Sequence, residues 1–108
     1  MWSRPPRLGL AVVRGRSMEP TLYGGDRLLV AYGRTPRVGQ LVIVRLPDRP
    51  VSVKRVTRQV DEGWWVERDN PAEGVDSWLV GAIPAGDVLA VVLCRWWPPR
   101  DRPEAGAR

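Results

Sequence analysis

A serine on a proline-braced turn and a lysine in an apolar strand are the two residues of this chain suited to hydrolytic chemistry. Ser17 stands in the run Gly15-Arg16-Ser17-Met18-Glu19-Pro20-Thr21-Leu22. The glycine bend before it and Pro20 after it hold the hydroxyl on a rigid turn. Such a turn can present the hydroxyl outward and aim backbone N–H groups at one point, as an oxyanion hole requires. By itself a Ser-x-x-Pro turn is a common loop feature. A serine hydroxyl is also a poor nucleophile at neutral pH and needs an adjacent base. Histidine is absent from all 108 residues, which removes the Ser-His-Asp and Cys-His mechanisms. Hydrolysis must then run on Ser or Thr with Lys, or on carboxylates.

Lys54 is the only lysine, beside sixteen arginines. A guanidinium stays protonated and cannot serve as a base, so a chain that otherwise uses Arg has reason to keep Lys where a proton must be accepted. An ordinary lysine pKa of about 10.4 has to fall by several units for that role at pH 7. Burial among apolar neighbours does this by penalising the ammonium, and Lys54 lies among Val51, Val53 and Val56.

Other chemistries are narrowed by composition. One cysteine and no histidine leave almost no nitrogen or sulfur metal site and no intramolecular disulfide, so neither metal nor cofactor is expected. Cys94, in the apolar run Val88 to Leu93, is expected to be a small buried hydrophobe. No stretch reaches the roughly 20 apolar residues that span a bilayer. Leu8 to Val13 is too short for a signal-peptide core, and Pro5-Pro6 precede it. A cytoplasmic protein without an integral anchor is the expectation, with peripheral membrane contact left open. The net charge of +5 and pI near 10.6 suit nucleic acid, an anionic surface or an acidic substrate. The arginines are scattered without a block of like charge, so the basicity carries little weight and no nucleic-acid partner is expected.

The elements that must position Ser17 and Lys54 are short. Eleven glycines and eleven prolines favour strands joined by turns over long helices. Strands are expected over 8–13, 27–32, 41–46, 51–60, 63–68 and 87–97, with at most a helical turn near Ser17 to Leu22. Glu62-Gly63 is expected to form a hairpin tip and Ile83 to Gly86 a turn. Alternation along 51–60 places Val51, Val53 and Arg55 on one face and Ser52, Lys54 and Val56 on the other. The expected fold is all-β, of six to seven short strands with almost no helix, as coiled sheets or a distorted barrel. One domain covers 8–97, between Pro- and Arg-rich tails at 1–7 and 98–108.

Several motifs in order, Ser-Met-x-Pro-Thr-Leu at 17–22, Gly25-Asp26, Gly39-Gln40 with the apolar run after it, Val53-Lys54-Arg55-Val56, Asp69-Asn70 and Asp76-Ser77, resemble the signal peptidase I family over residues 12 to 93. The runs Trp64-Trp65-Val66-Glu67, Asp69-Asn70-Pro71 and Gly74 to Trp78 are most similar to the branch that matures nickel-type superoxide dismutase. The resemblance implies the fold shared by signal peptidases and repressor autoproteases, and a Ser17/Lys54 dyad acting on a precursor protein bound as an extended peptide. It implies an oxyanion hole at the Ser17 backbone N–H, with Gly15 at a position where relatives often carry a hydroxyl. It implies pocket walls at Val13, Met18, Leu22 and Val53, and a brace in which Arg55 pairs with Asp69 and Asp76. Gly74 stands where relatives often place a serine that orients the lysine, leaving Ser52 and Ser77 as substitutes. Trp78 stands where they often place an arginine, so the brace is expected to have one member fewer.

The expected activity is removal of an N-terminal propeptide or leader, with the nickel superoxide dismutase precursor as the best candidate. The alternatives are a general leader peptidase, a self-cleaving repressor-type domain, and a non-catalytic basic β-barrel binding module. The pairs Trp64-Trp65 and Trp96-Trp97 are expected mainly to fill a core that lacks Phe, and otherwise to form a membrane-contacting rim.

Overall fold

A computed structural model describes residues 7–61 and 63–99. Seven strands form one antiparallel sheet: β1 Arg7–Val12, β2 Arg27–Tyr32, β3 Leu41–Val44, β4 Ser52–Val60, β5 Gly63–Glu67, β6 Ile83–Pro84 and β7 Val88–Trp97. Their order across the sheet is β1-β2-β7-β3-β4-β5-β6. The sheet curls into a half-barrel with almost no helix, which is the expected class. Among the described residues no helix is long and apolar enough to cross a membrane.

The curl lets both faces of the central strands be buried. Along β3, Val42 and Val44 enter one core with Val56, Trp64, Val66 and Ile83. Ile43 points the other way, into a second core with Val13, Met18, Leu22, Leu28 and Val53. A strand buried on both sides reads as a continuous apolar run instead of an alternating one. Leu41 to Val44 is such a run.

The expected strand boundaries hold to within one or two residues, with specific departures. Arg7, assigned above to a tail, opens β1 and pairs with Tyr32. The remaining tail residues 1–6 and 100–108, and Glu62 of the expected hairpin tip, lie outside the described residues. Ile83 to Gly86 is more than a turn: Ile83 and Pro84 pair with Trp64 and Gly63 as β6, and Ala85–Asp87 make one 3-10 turn. A four-residue helix, α1 Ser77–Val80, is present where none is expected. Asp76 caps it, its side chain accepting the Trp78 N–H.

Cys94 is exposed, not buried. The outer half of β7 runs beyond β3 and pairs with β2 alone, which leaves Leu93, Cys94, Trp96 and Trp97 facing outward. The tryptophans divide. Trp64 is core, Trp65 is half-buried with an edge-to-face contact to Trp78 at 5.2 Å, and Trp96 and Trp97 are exposed.

Candidate active site

β4 places Lys54 by register. It pairs with Val42 of β3, flanked by the buried Val53 and by Arg55, and is itself only 2% exposed. Burial lowers its pKa from the ordinary lysine value. The nearby Asp76 carboxylate opposes that fall, and the Arg68 guanidinium assists it. Nζ lies 3.1 Å from Ser17 Oγ, the single side-chain hydrogen bond Lys54 makes among the described residues.

Ser17 reaches this point on a turn that begins at Gly15. The glycine has φ +78, a left-handed conformation that a β-carbon would strain. The turn closes through Glu19 N–H to Arg16 O at 3.2 Å and Leu22 N–H to Met18 O at 2.9 Å. The segment after β5 then pins it from outside. Asn70 N–H donates to Ser17 O at 2.8 Å, and Asn70 Nδ2 donates to Arg16 O at 2.9 Å. Thr21 Oγ1 donates to Asp69 Oδ2 at 2.6 Å. Among the described residues the Ser17 N–H donates to no acceptor, which leaves it free to meet a developing oxyanion. Gly15 contributes no side-chain donor there.

Arg55 grips Asp69 with two parallel bonds, Nε to Oδ1 at 2.9 Å and Nη2 to Oδ2 at 2.7 Å, and gives Nη1 to Gly39 O at 2.8 Å. Its hydrogen bonds with Asp69 raise the Arg55 pKa further. Burial alone would push Asp69 up, but the bonds from Arg55 and Thr21 outweigh it and hold the carboxyl below its ordinary value.

Asp76 is a correction to the expected brace. Its partner is Arg68, at 3.2 Å between Nη1 and Oδ2, and not Arg55. The chain turns back after β5, so residue 68 and not residue 55 faces the helix cap. Arg68 thereby supplies the cation that the Trp78 position lacks.

Neither candidate substitute for the orienting hydroxyl bonds to Lys54. Ser77 Oγ accepts the Val66 N–H at 2.9 Å, and Ser52 Oγ is buried without a partner among the described residues. Gly74 leaves no room for a side chain. It has φ +92, and a Cβ built there would lie 2.6 Å from Ser17 Cβ. Packing against Ser17 therefore disfavours the helper serine at this position.

Val13 and Val53 line a small cleft of about 100 Å³ that Ser17 and Ile43 also border. Met18 and Leu22, expected beside them, lie beneath it as buried core, with Met18 Sδ accepting the Asp69 N–H at 3.4 Å. The sequence reading missed Asn70, Thr21 and Arg68 as supports of the site. Asn70 alone had a local signal, since Asn before Pro favours a turn that exposes its backbone and side-chain amides.

The arrangement offers a desolvated amine against a hydroxyl, beside a free N–H and a cleft of mixed polar and apolar lining. Among known proteins, the Peptidase S24-like family description matches residues 1–80, which contain the whole of this arrangement. No curated protein matches the chain.

Proposed function

Because the chain belongs to the Peptidase S24-like family, we propose that it is a serine endopeptidase with Ser17 as nucleophile and Lys54 as general base. The observation that carries this reading is the 3.1 Å contact between Lys54 Nζ and Ser17 Oγ at a lysine with almost no access to water. Burial lowers the pKa of the amine from its ordinary value, which favours the uncharged form that can accept a proton.

In the first step Ser17 Oγ attacks the scissile carbonyl carbon while Lys54 takes the hydroxyl proton. The negative charge that forms on the carbonyl oxygen meets the Ser17 N–H. Collapse breaks the C–N bond as Lys54 passes its proton to the leaving amine, and an ester to Ser17 remains. Lys54 then deprotonates a water that attacks that ester. Collapse breaks the acyl C–Oγ bond as Lys54 returns the proton to Ser17 Oγ, and the acid product leaves and ionises to its carboxylate in water. The substrate lies extended along the cleft, with a small apolar side chain against Val13 and Val53.

For the substrate we favour a precursor with a short N-terminal propeptide, of the nickel superoxide dismutase kind. This rests on the runs at 64–67, 69–71 and 74–78, with general leader peptides as the alternative. Incubation of that precursor with wild type, Ser17→Ala and Lys54→Met, followed by intact-mass analysis, tests both levels. Cleavage is expected with wild type alone. Unchanged cleavage by either variant overturns the dyad. Cleavage of generic leader peptides but not of this precursor replaces the substrate. Self-cleavage that Ser17→Ala abolishes moves the reading toward an autoprotease.

A further inference from the structure

We propose that Arg68 is a positioning residue for the general base: by holding the buried Asp76 carboxylate, it keeps that carboxylate from capturing Lys54 and leaves the amine to Ser17. The inference rests on the dyad reading above and concerns how the base is kept available.

Asp76 is 3% exposed, and a carboxylate this deeply buried needs donors or it draws in the nearest cation. Its oxygens are already occupied. Oδ1 accepts the Trp78 N–H at 3.1 Å, while Oδ2 accepts the Arg68 N–H at 3.1 Å and lies 3.2 Å from Arg68 Nη1. The guanidinium is fixed on its other sides as well. Nε donates to Asn70 O at 3.2 Å and Nη2 to Pro71 O at 2.9 Å. All three nitrogens are thus committed, and two of the bonds reach the same 70–71 loop that pins Ser17.

The charges that act on Lys54 are Asp76 and Arg68. Arg55 and Asp69, which carry the next charges along the chain, satisfy one another. Removing Arg68 would leave Asp76 with backbone donors only. The β4–β5 register that pairs Arg55 with Glu67 sets position 68, whose N–H holds Asp76, beside position 54. Lys54 would then be a cation within reach of that carboxylate, and an ammonium held by Asp76 is no base.

The single lysine makes the test direct. Protein grown with [13C]lysine carries one lysine Cε resonance, whose titration reads Lys54 without any substrate. Arg68→Gln is expected to raise the Lys54 pKa by about one to two units. Asp76→Asn is expected to lower it, and the double variant to return the titration to the wild-type position or below. A Lys54 titration unmoved by Arg68→Gln overturns the proposal. Should Arg68→Gln fail to fold, Asp76→Asn still decides: a Lys54 pKa that stays or rises overturns it as well. The dyad itself stands or falls on cleavage by Ser17→Ala and Lys54→Met. An unmoved titration with both of those variants inactive therefore rejects the role of Arg68 alone.

Discussion

Lys54 sits in the middle of an antiparallel ladder, paired with Val42 and almost wholly buried. Ser17 stands outside any ladder, on a turn that Asn70 and the Thr21–Asp69 bond hold from one side. The contrast fits what each group must do in the proposed dyad. A lysine becomes a base only by losing water, and the interior of a sheet removes water more reliably than a loop. A nucleophile must stay reachable by a substrate, so it is held by a few directed hydrogen bonds and not by burial. The site joins a burial problem to an orientation problem, and the sequence solves them in separate segments.

If that division is right, substitutions in the two regions should fail differently. The largest effect is expected at the dyad. Lys54→Met and Ser17→Ala should each lower the cleavage rate by about 1000-fold or more. Their stabilities should diverge. The folded state lowers the Lys54 pKa below its unfolded value of about 10.4, so between the two values the unfolded chain binds more protons and wild-type stability rises with pH. Lys54→Met should therefore melt above wild type at neutral pH, with a gain that shrinks as pH climbs toward about 10.4. Ser17→Ala should show no such trend. Thermal melts from pH 6 to 10 check this, and a constant offset for Lys54→Met would argue that burial does not depress the base.

Next comes Asp69, which joins the two regions. Asp69→Ala strands Arg55 and frees Thr21, and should destabilise by about 2–4 kcal/mol in denaturant melts. Because the folded state lowers the Asp69 pKa, its contribution is complete above the unfolded value of about 3.9. That contribution is lost as pH falls through the lower folded value, so the deficit of Asp69→Ala should narrow in acid.

Gly74→Ser tests the nucleophile side alone. It offers a hydroxyl near the dyad but drives a Cβ into Ser17 Cβ at 2.6 Å from a left-handed backbone. The expected cost is about 1–2 kcal/mol, with activity falling. A gain in rate would mean that the 74 backbone yields easily.

The smallest effect on stability belongs to Asn70→Ala. It removes two exposed side-chain bonds, the one given to Arg16 O and the one accepted from the Ala72 N–H, and should cost about 1 kcal/mol. Activity should nevertheless fall by about tenfold, because the loss is one of aim. Equal losses in kcat and kcat/KM would place the defect in the reacting geometry.

How much of this was legible in the chain divides along the same line. Lys54 could be argued from elimination and from alternation along one strand, both local properties. The all-β class followed from short apolar runs between Gly and Pro. Ser17 depended on the resemblance, because a turn carries no periodic signal. The Arg55–Asp69 pair was expected, whereas Arg68–Asp76 was not, since it depends on where the chain returns after β5. Cys94 was misplaced because an apolar run does not reveal that its strand outlasts its neighbour. Met18 and Leu22 have the same composition whether they wall a pocket or fill the core below it. α1 is one turn long, too short for helical periodicity to show, and only its Asp76 cap marks it.

The difference between ladder and clamp also sets two clocks. Backbone amides around Lys54 exchange with solvent only when the central sheet opens, an event close to global unfolding. The two Asn70 bonds can part and re-form while that sheet stays intact. With Ser17 and Lys54 as the proposed dyad, catalytic competence is a local equilibrium nested inside the folded state, and on warming activity should be lost some degrees before the fold melts.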